Sequence, residues 1–519
     1  MRRIGLLLVV SSALWMAACG SSGNGGGSSS ITSVTVSCSP STIIFGQTSQ
    51  CSATVMGTGN FSSGVTWTAS AGTISSSGLF AAPSGGARSL QVTITATSTQ
   101  DTSKSGAATV TVNPAQQTNN VQPIVVDAGP EPQTFTSTNV AFTTVTVCVP
   151  GTTTCQSIDH VMVDTGSSGL RLISGVLSIA LPPETDPNNN NDAFDECLVF
   201  LDGYIWGPVA TADVTMSGET ASSVPVQVII PSSSSPAVPS SCSVQNPAGG
   251  AGNEGGSSNS NSVATFGANG IIGVGLFQQD CGGYCVSQGS TCNSSNNNPC
   301  VYYDCPPSGC SPANIALAQQ IPNPVTAFTS TGDDNGVIIE LPSVPDGGSS
   351  PVGGPYLTGS LIFGINTQSN NQLNGTQVYD VPDSGPDAGG FTTIFNGNTY
   401  TSSFIDSGSN GFFFNDSSIS TCPSPNQYWF CPTTSPLSLS AQNQGTNMTS
   451  PVSVSFSIEN ADNLFNTPNT AFSTLAGPYG STPPVEFDWG LSFFYGRNVF
   501  TAVDNTNTPG VGPGPYFAY

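Results

Sequence analysis

Charge is what this sequence lacks most: charged residues make up 7% of it, against about 25% in ordinary soluble chains. Basic groups are the scarcest, with 6 lysines and arginines against 30 aspartates and glutamates and a formal net charge of −24. Any cleft is therefore negative or neutral, which argues against nucleic acid as a partner, because such binding rests on neutralising phosphates. Lys104 is the single lysine and His160 the single histidine. That removes a two-histidine zinc motif, a histidine triad beside a metal site, and most lysine-base chemistry. No metal, nucleotide or organic cofactor is indicated. Hydrophobic residues at 37% together with 59 glycines still suffice for real cores, so the surface is built mainly from Ser, Thr, Asn and Gln. At about 150 residues per domain, 519 residues imply two to four domains.

At the N-terminus, Arg2 and Arg3 precede an apolar run from Ile4 to Trp15, and "MAAC" follows, ending at Cys19. So short a run, behind positive charge and before small residues, reads as a secretory signal instead of a membrane-spanning helix. A cysteine directly after two alanines resembles the bacterial lipoprotein signal, which implies cleavage before Cys19 and lipid attachment to it. An ordinary signal peptide with a chance cysteine is the alternative. Gly20 in place of an aspartate after Cys19 implies, by the same resemblance, anchoring in the outer membrane, on its periplasmic face or at the cell surface.

Setting Cys19 aside leaves 14 cysteines, an even number that in an exported chain reads as disulfides. Cys38 sits near Cys51, Cys148 near Cys155 and Cys422 near Cys431, while Cys197 and Cys242 remain as a longer-range pair. Cys281, Cys285, Cys292, Cys300, Cys305 and Cys310 form a dense set whose internal pairing stays open. A zinc site there is the alternative, but the set contains no C-x-x-C.

Residues 1–19 are thus a signal and 20–30, "GSSGNGGGSSS", a flexible tether. From 31 to 114, short alternating runs such as "SVTVSC" and "LQVTITATS", with Trp67 on a middle strand, predict a small β-sandwich. The segment "VTWTASAGTISSSGLFAAP" resembles bacterial Ig-like repeats that serve as spacers. After a polar linker at 115–122, residues 123–519 read as one larger β-rich unit, with one short helix expected over Pro312–Ile321.

That unit echoes itself. "FTTVTV" turns and returns as "IDHVMVDTGSSG"; "FTTIFNGN" turns and returns as "TSSFIDSGSNG". Each is a strand, a tight hairpin and a second strand ending in an aspartate, Asp164 or Asp406, followed by [Thr/Ser]-Gly-Ser. Gly166 and Gly408 would let the backbone turn sharply, Ser167 and Ser409 would hydrogen-bond the carboxylates, and Thr165 and Ser407 complete the loops. Asp383-Ser384-Gly385 is a decoy, flanked by prolines and so a turn.

The paired motifs resemble those of the pepsin-like aspartic peptidases, whose two lobes contribute one loop each. The resemblance implies an all-β, bilobal double barrel, lobes at about 123–325 and 326–519, behind an Ig-like sandwich. It implies loop-closing segments at Ile271-Ile272-Gly273 and Trp489-Gly490, and a hairpin over the cleft within Cys197–Met216, with Tyr204 as its tip tyrosine. A peptide or protein substrate would lie between the lobes of a monomer. The same stretch resembles a bacterial lipoprotein family known only as a domain of unknown function. Several positions depart from the peptidase pattern. Arg171 stands where a tryptophan is usual and is expected to pair with Asp202 or Asp164; Asp488 and Asn410 replace apolar or small residues; no basic pro-segment precedes residue 123. Insertions at 232–262 and 281–310 would cap the cleft or bind a partner. Two functions follow, a lipid-anchored aspartic endopeptidase or a pepsin-fold surface protein without catalysis that binds or builds; a different fold with both motifs as turns remains a third outcome.

Overall fold

The computed structural model describes residues 29–44, 47–83, 90–113, 120–131, 136–200, 203–231, 233–243, 260–288, 292, 300–330, 332–344, 353–385, 387–479 and 486–519. Cys19 with the expected signal segment, most of the expected tether and linker, Asp202, and most of the 232–262 insertion lie outside the described residues. The chain divides into two compact units, residues 1–117 and 118–519.

In the first unit, strand side chains alternate between two faces, so Val92, Ile94 and Ala96 of the strand Leu90–Ser98 are buried while Gln91 and Thr93 face water. One sheet orders Ser30–Ser39, Thr48–Thr58, Leu79–Ala81 and Thr73–Ile74; the other orders Thr42–Ile44, Ser105–Asn113, Leu90–Ser98 and Val65–Ala69. Phe80 and Cys51 of the first pack on Val92, Ile94 and Val110 of the second, making a sandwich. Cys38 and Cys51 stand opposite each other across two strands and are disulfide-bonded. Trp67 lies on the edge strand of its sheet instead of a middle one, half-buried against the core margin.

The second unit is all-β and bilobal, as expected. A 16-stranded sheet runs through the first lobe and continues into the back of the second; the strand Val121–Val126 joins them, pairing with Ala141–Cys148 on one side and Leu357–Phe363 on the other. A separate seven-stranded sheet builds the rest of the second lobe. The first lobe's core is aliphatic, with Val145, Ile158, Val161, Val163, Val214 and Ile272 buried. The second is aromatic, with Phe412, Phe414, Phe456, Phe487 and Trp489 in mutual ring contact. Burying each such side chain contributes roughly 1.5–3 kcal/mol.

The helix expected over Pro312–Ile321 does not form. Ser311–Pro312 pairs as a strand with Tyr303 and Asp304, and only the 3-10 turn Leu317–Gln319 follows. Ten residues hardly offset the cost of helix nucleation, and Ile315 and Ile321 are drawn into the core beside Tyr302 and Cys285. The seven disulfides include the four anticipated pairs and resolve the dense set as neighbours, Cys281–Cys285, Cys292–Cys300 and Cys305–Cys310.

Candidate active site

Two hairpins carry the site. Ala141–Cys148 pairs with Cys155–Asp164, and the Cys148–Cys155 disulfide closes the turn. In the second lobe Phe391–Phe395 pairs with Asn398–Ile405 around Asn396 and Gly397, whose φ of 49° and 80° suit the left-handed residues of a two-residue hairpin turn. Both delivering strands shift register shortly before the aspartate, at Asp159–His160 and at Thr401–Ser402. Such bulges re-aim a strand end, which here places the carboxyl at the strand tip.

Each strand end is gripped from the side by its closing segment. In the first lobe Cys155–Asp164 runs parallel to Gly270–Val274, with Asp164 opposite Gly273, and Ser168–Ile173 returns antiparallel on the same strand. In the second lobe Asn398–Ile405 runs parallel to Asp488–Trp489, and Phe412–Phe413 returns antiparallel. The closing glycines are forced by proximity. A Cβ on Gly273 would lie 2.6 Å from the Ser168 nitrogen, and one on Gly490 would lie 2.1 Å from the Gly411 carbonyl oxygen.

The two loops make matching hydrogen bonds. The Gly166 amide donates to Asp164 Oδ1 at 2.7 Å and the Ser167 hydroxyl to Asp164 Oδ2; the Gly408 amide donates to Asp406 Oδ1 at 2.7 Å and the Ser409 hydroxyl to Asp406 Oδ2 at 2.8 Å. The residues after the aspartates lock the lobes together reciprocally. The Thr165 amide donates to Ser407 Oγ at 3.1 Å and the Ser407 amide to Thr165 Oγ1 at 3.0 Å. The Thr165 hydroxyl donates to the Ile405 carbonyl and the Ser407 hydroxyl to the Val163 carbonyl.

The aspartates meet. Each loop glycine lies against the opposite carboxyl: a Cβ on Gly166 would stand 2.7 Å from Asp406 Cγ, and one on Gly408 would stand 2.6 Å from Asp164 Oδ1. The two carboxyls are within hydrogen-bonding reach of each other. Burial, then the charge and hydrogen bond of Asp406, hold the Asp164 carboxyl well above the ordinary carboxylate range. They open onto a cleft of about 760 Å³, of a size that takes a peptide-sized ligand. Val199, Phe200, Phe266, Phe413 and Trp429 give it apolar walls; Tyr479, Glu486 and Asp488 give one wall an acidic edge.

Of the remaining expectations, three are corrected. Arg171 is fully buried and pairs with neither Asp164 nor, among the described residues, any cleft group. Its guanidinium donates to Glu196 at 2.7 and 3.1 Å, to Asp280 at 3.0 Å and to the Ser168 carbonyl at 2.8 Å. Burial and the Glu196 charge hold the Asp280 carboxyl well above its usual range, and the Tyr302 hydroxyl donates a hydrogen bond to it at 2.7 Å. Tyr204 is not a hairpin tip. It opens the second strand of the hairpin, paired with Val199, and is buried beside Trp206, Tyr303 and the Cys197–Cys242 disulfide. Val199 and Phe200 face the cleft in its place, and Leu201 and Asp202 lie outside the described residues. None of the described residues of the cysteine-rich insertion lines the cleft; Asp280 and Tyr302 tie that segment to the back of the first lobe. Asn410 does line it, and its carbonyl accepts from Asn139, which also joins Phe472 and Tyr495 at the lobe junction. The decoy Asp383 stays in an exposed turn away from the cleft.

Sequence reasoning missed Phe266, Phe413, Trp429 and Tyr479, which come from segments with no shared motif and converge only when the lobes close. Asp488 left a signal, an acid inside an otherwise apolar closing segment.

An aspartic proteinase from Irpex lacteus, known as a crystal structure, is similar at 13% identity, covering 77% of this chain and 96% of that chain with a TM-score of 0.40. No curated protein matches. Residues 116–519 match the family described as a protein of unknown function, DUF3443, and the chain belongs to that family.

Proposed function

We propose that the larger unit is an aspartic-type endopeptidase. The observation that supports it is the meeting of two hydrogen-bonded carboxyls, one from each lobe, at the floor of a peptide-sized cleft. Two such groups cannot both ionise comfortably, so the pair holds one proton over an acid range. The charged member takes a proton from water, the water oxygen bonds to a peptide carbonyl carbon, and the protonated member gives its proton to the carbonyl oxygen. Breakdown of that adduct releases the amine and the acid. Apparent ionisation constants belong to the pair, so the acid and base roles are not divided between Asp164 and Asp406.

In this reading the protein is exported, lipid-anchored at Cys19 in a bacterial outer membrane, and monomeric, with the N-terminal sandwich as an Ig-like spacer. The alternative is a non-catalytic binding protein, because the apolar walls of Val199, Phe200, Phe266, Phe413 and Trp429 would hold a partner with or without chemistry. The test is cleavage of a denatured protein from about pH 2 to 7 by a soluble form lacking residues 1–19, beside Asp164→Asn and Asp406→Asn. Acid-dependent cleavage that either substitution abolishes and a statine peptide blocks supports the peptidase. No cleavage at any pH by a fully oxidised sample supports the binding protein.

A further inference from the structure

The closing segments of the two lobes differ at one place that faces the cleft. Ile271 stands opposite Met162 and Ile272 opposite Val163, the residue before Asp164. Asp488 stands opposite Phe404 and Trp489 opposite Ile405, the residue before Asp406. Asp488 is therefore the counterpart of Ile271, and both line the cleft.

Asp488 has no exposed surface, and neither of its carboxyl oxygens has a hydrogen-bond partner among the described residues. A buried polar group left without a partner is destabilising. The first lobe shows that an aliphatic side chain fills the same position with no such cost. A cost retained beside a reactive pair is a sign of function more than of packing.

The groups around Asp488 come from several segments. After burial, Asp406 at the end of one strand, Asp164 across the lobe junction and Glu486 on its own segment all resist its ionisation; the Ser409 hydroxyl alone favours the charged form. Tyr479, from the neighbouring segment, stands against Glu486. No lysine, arginine or histidine is among the described residues that line the cleft. Ser409 gives its one hydrogen to Asp406 Oδ2, so it lies near Asp488 without satisfying it.

We propose that Asp488 is a third carboxyl of this centre, a positioning residue beside Asp406 that sets the upper pH limit of the aspartate pair. It rests on the peptidase reading of that pair. Three carboxyls have one ionisation step more than a pair, and the protons leave the cluster as a set. Once Asp488 carries charge, removing the last proton from the pair means placing a further negative charge in a buried cluster without a cation. The pair therefore keeps its shared proton to higher pH than it would with an aliphatic neighbour. Substrate never needs to touch Asp488, which fits its complete burial.

The experiment follows the protonated-carboxyl stretch by infrared spectroscopy across pH in the oxidised, soluble protein, comparing wild type with Asp488→Asn and Asp488→Ile. Asp164→Asn identifies the band of the pair. Loss of the pair's band should move to lower pH by roughly one unit in both Asp488 variants, the usual scale of a neighbouring charge. If cleavage is observed, the alkaline limb of kcat/KM should move with it, whereas a purely structural role would lower the amplitude at all pH and leave the limb in place. An unmoved band in the well-folded Asn variant overturns the proposal. A moved band in a protein that cleaves nothing keeps Asp488 as the third carboxyl and sinks the peptidase reading alone.

Discussion

The two lobes deliver the same loop by different means. The first lobe carries five disulfides, Cys148–Cys155, Cys197–Cys242, Cys281–Cys285, Cys292–Cys300 and Cys305–Cys310, and a buried ionic cluster of Arg171, Glu196 and Asp280. The second carries one, Cys422–Cys431, and a core of stacked and edge-on aromatic rings. Yet the Gly166 and Gly408 amides hold their aspartates at the same 2.7 Å. Loop geometry is therefore fixed by the local aspartate-to-serine segment and the parallel strand beside it, and is indifferent to what fills the barrel behind. The lobes part company where the surroundings meet the carboxyls, Ile271 on one side and Asp488 on the other.

The comparison breaks most sharply at the aspartates. Asp164→Asn or Asp406→Asn should each lower cleavage by at least about 10²–10⁴-fold, because each removes a proton-transfer group; residual activity near wild type in either would end the symmetric reading. The same Asp164→Asn should also stabilise. A raised folded-state ionisation means that the native protein holds a proton the unfolded chain releases, so wild-type stability is lost as pH rises from the unfolded value near about 4 through the folded one. The gain over wild type, read by thermal melts, should be absent near pH 3 and grow toward neutrality.

Reduction separates the lobes next. Losing even the eight-residue Cys148–Cys155 loop should cost about 2–3 kcal/mol, so reductant should lower Tm and open first-lobe amides to hydrogen exchange ahead of those around Trp489. Equal loss of protection in both lobes would show that they unfold as one. Ser407→Ala leaves the Thr165 amide without its partner across the junction and should cost about 1–3 kcal/mol, measurable in a urea titration. Asp488→Ile, which gives the second lobe the first lobe's residue, should raise stability at neutral pH by a similar amount; a loss of stability would mean that the carboxyl is better satisfied than its surroundings indicate.

The smallest effect is at His160, whose ionisation Asp127, opposed by burial, raises. Its pair with Asp127 at 3.3 Å contributes stability that is full below the unfolded value near about 6.5 and fades as pH rises through the folded one. His160→Gln should therefore cost about 0.5 kcal/mol near pH 6 and nothing near pH 9; a cost independent of pH would assign the effect to the ring contact with Phe142.

Much of this is legible in the sequence. Cysteines seven to thirteen apart in Cys148–Cys155, Cys422–Cys431 and Cys38–Cys51 bond because each pair flanks a short turn or faces across neighbouring strands. The two aspartates could be matched because strand, hairpin turn and glycine loop are local features with local residue requirements. Arg171, Tyr204 and Asp488 could not be placed in that way. Arg171 found Glu196 and Asp280, 25 and 109 residues on, because those were the acids buried with it. Tyr204 turned inward because the Cys197–Cys242 bridge and Trp206 close over it. The chain's own residues dictated two equivalent loops and the staples near them, since turns, glycines and nearby cysteines act over a few residues. Only the tertiary fold decided which acids share a buried space, because desolvation and charge depend on neighbours brought together from distant parts of the chain.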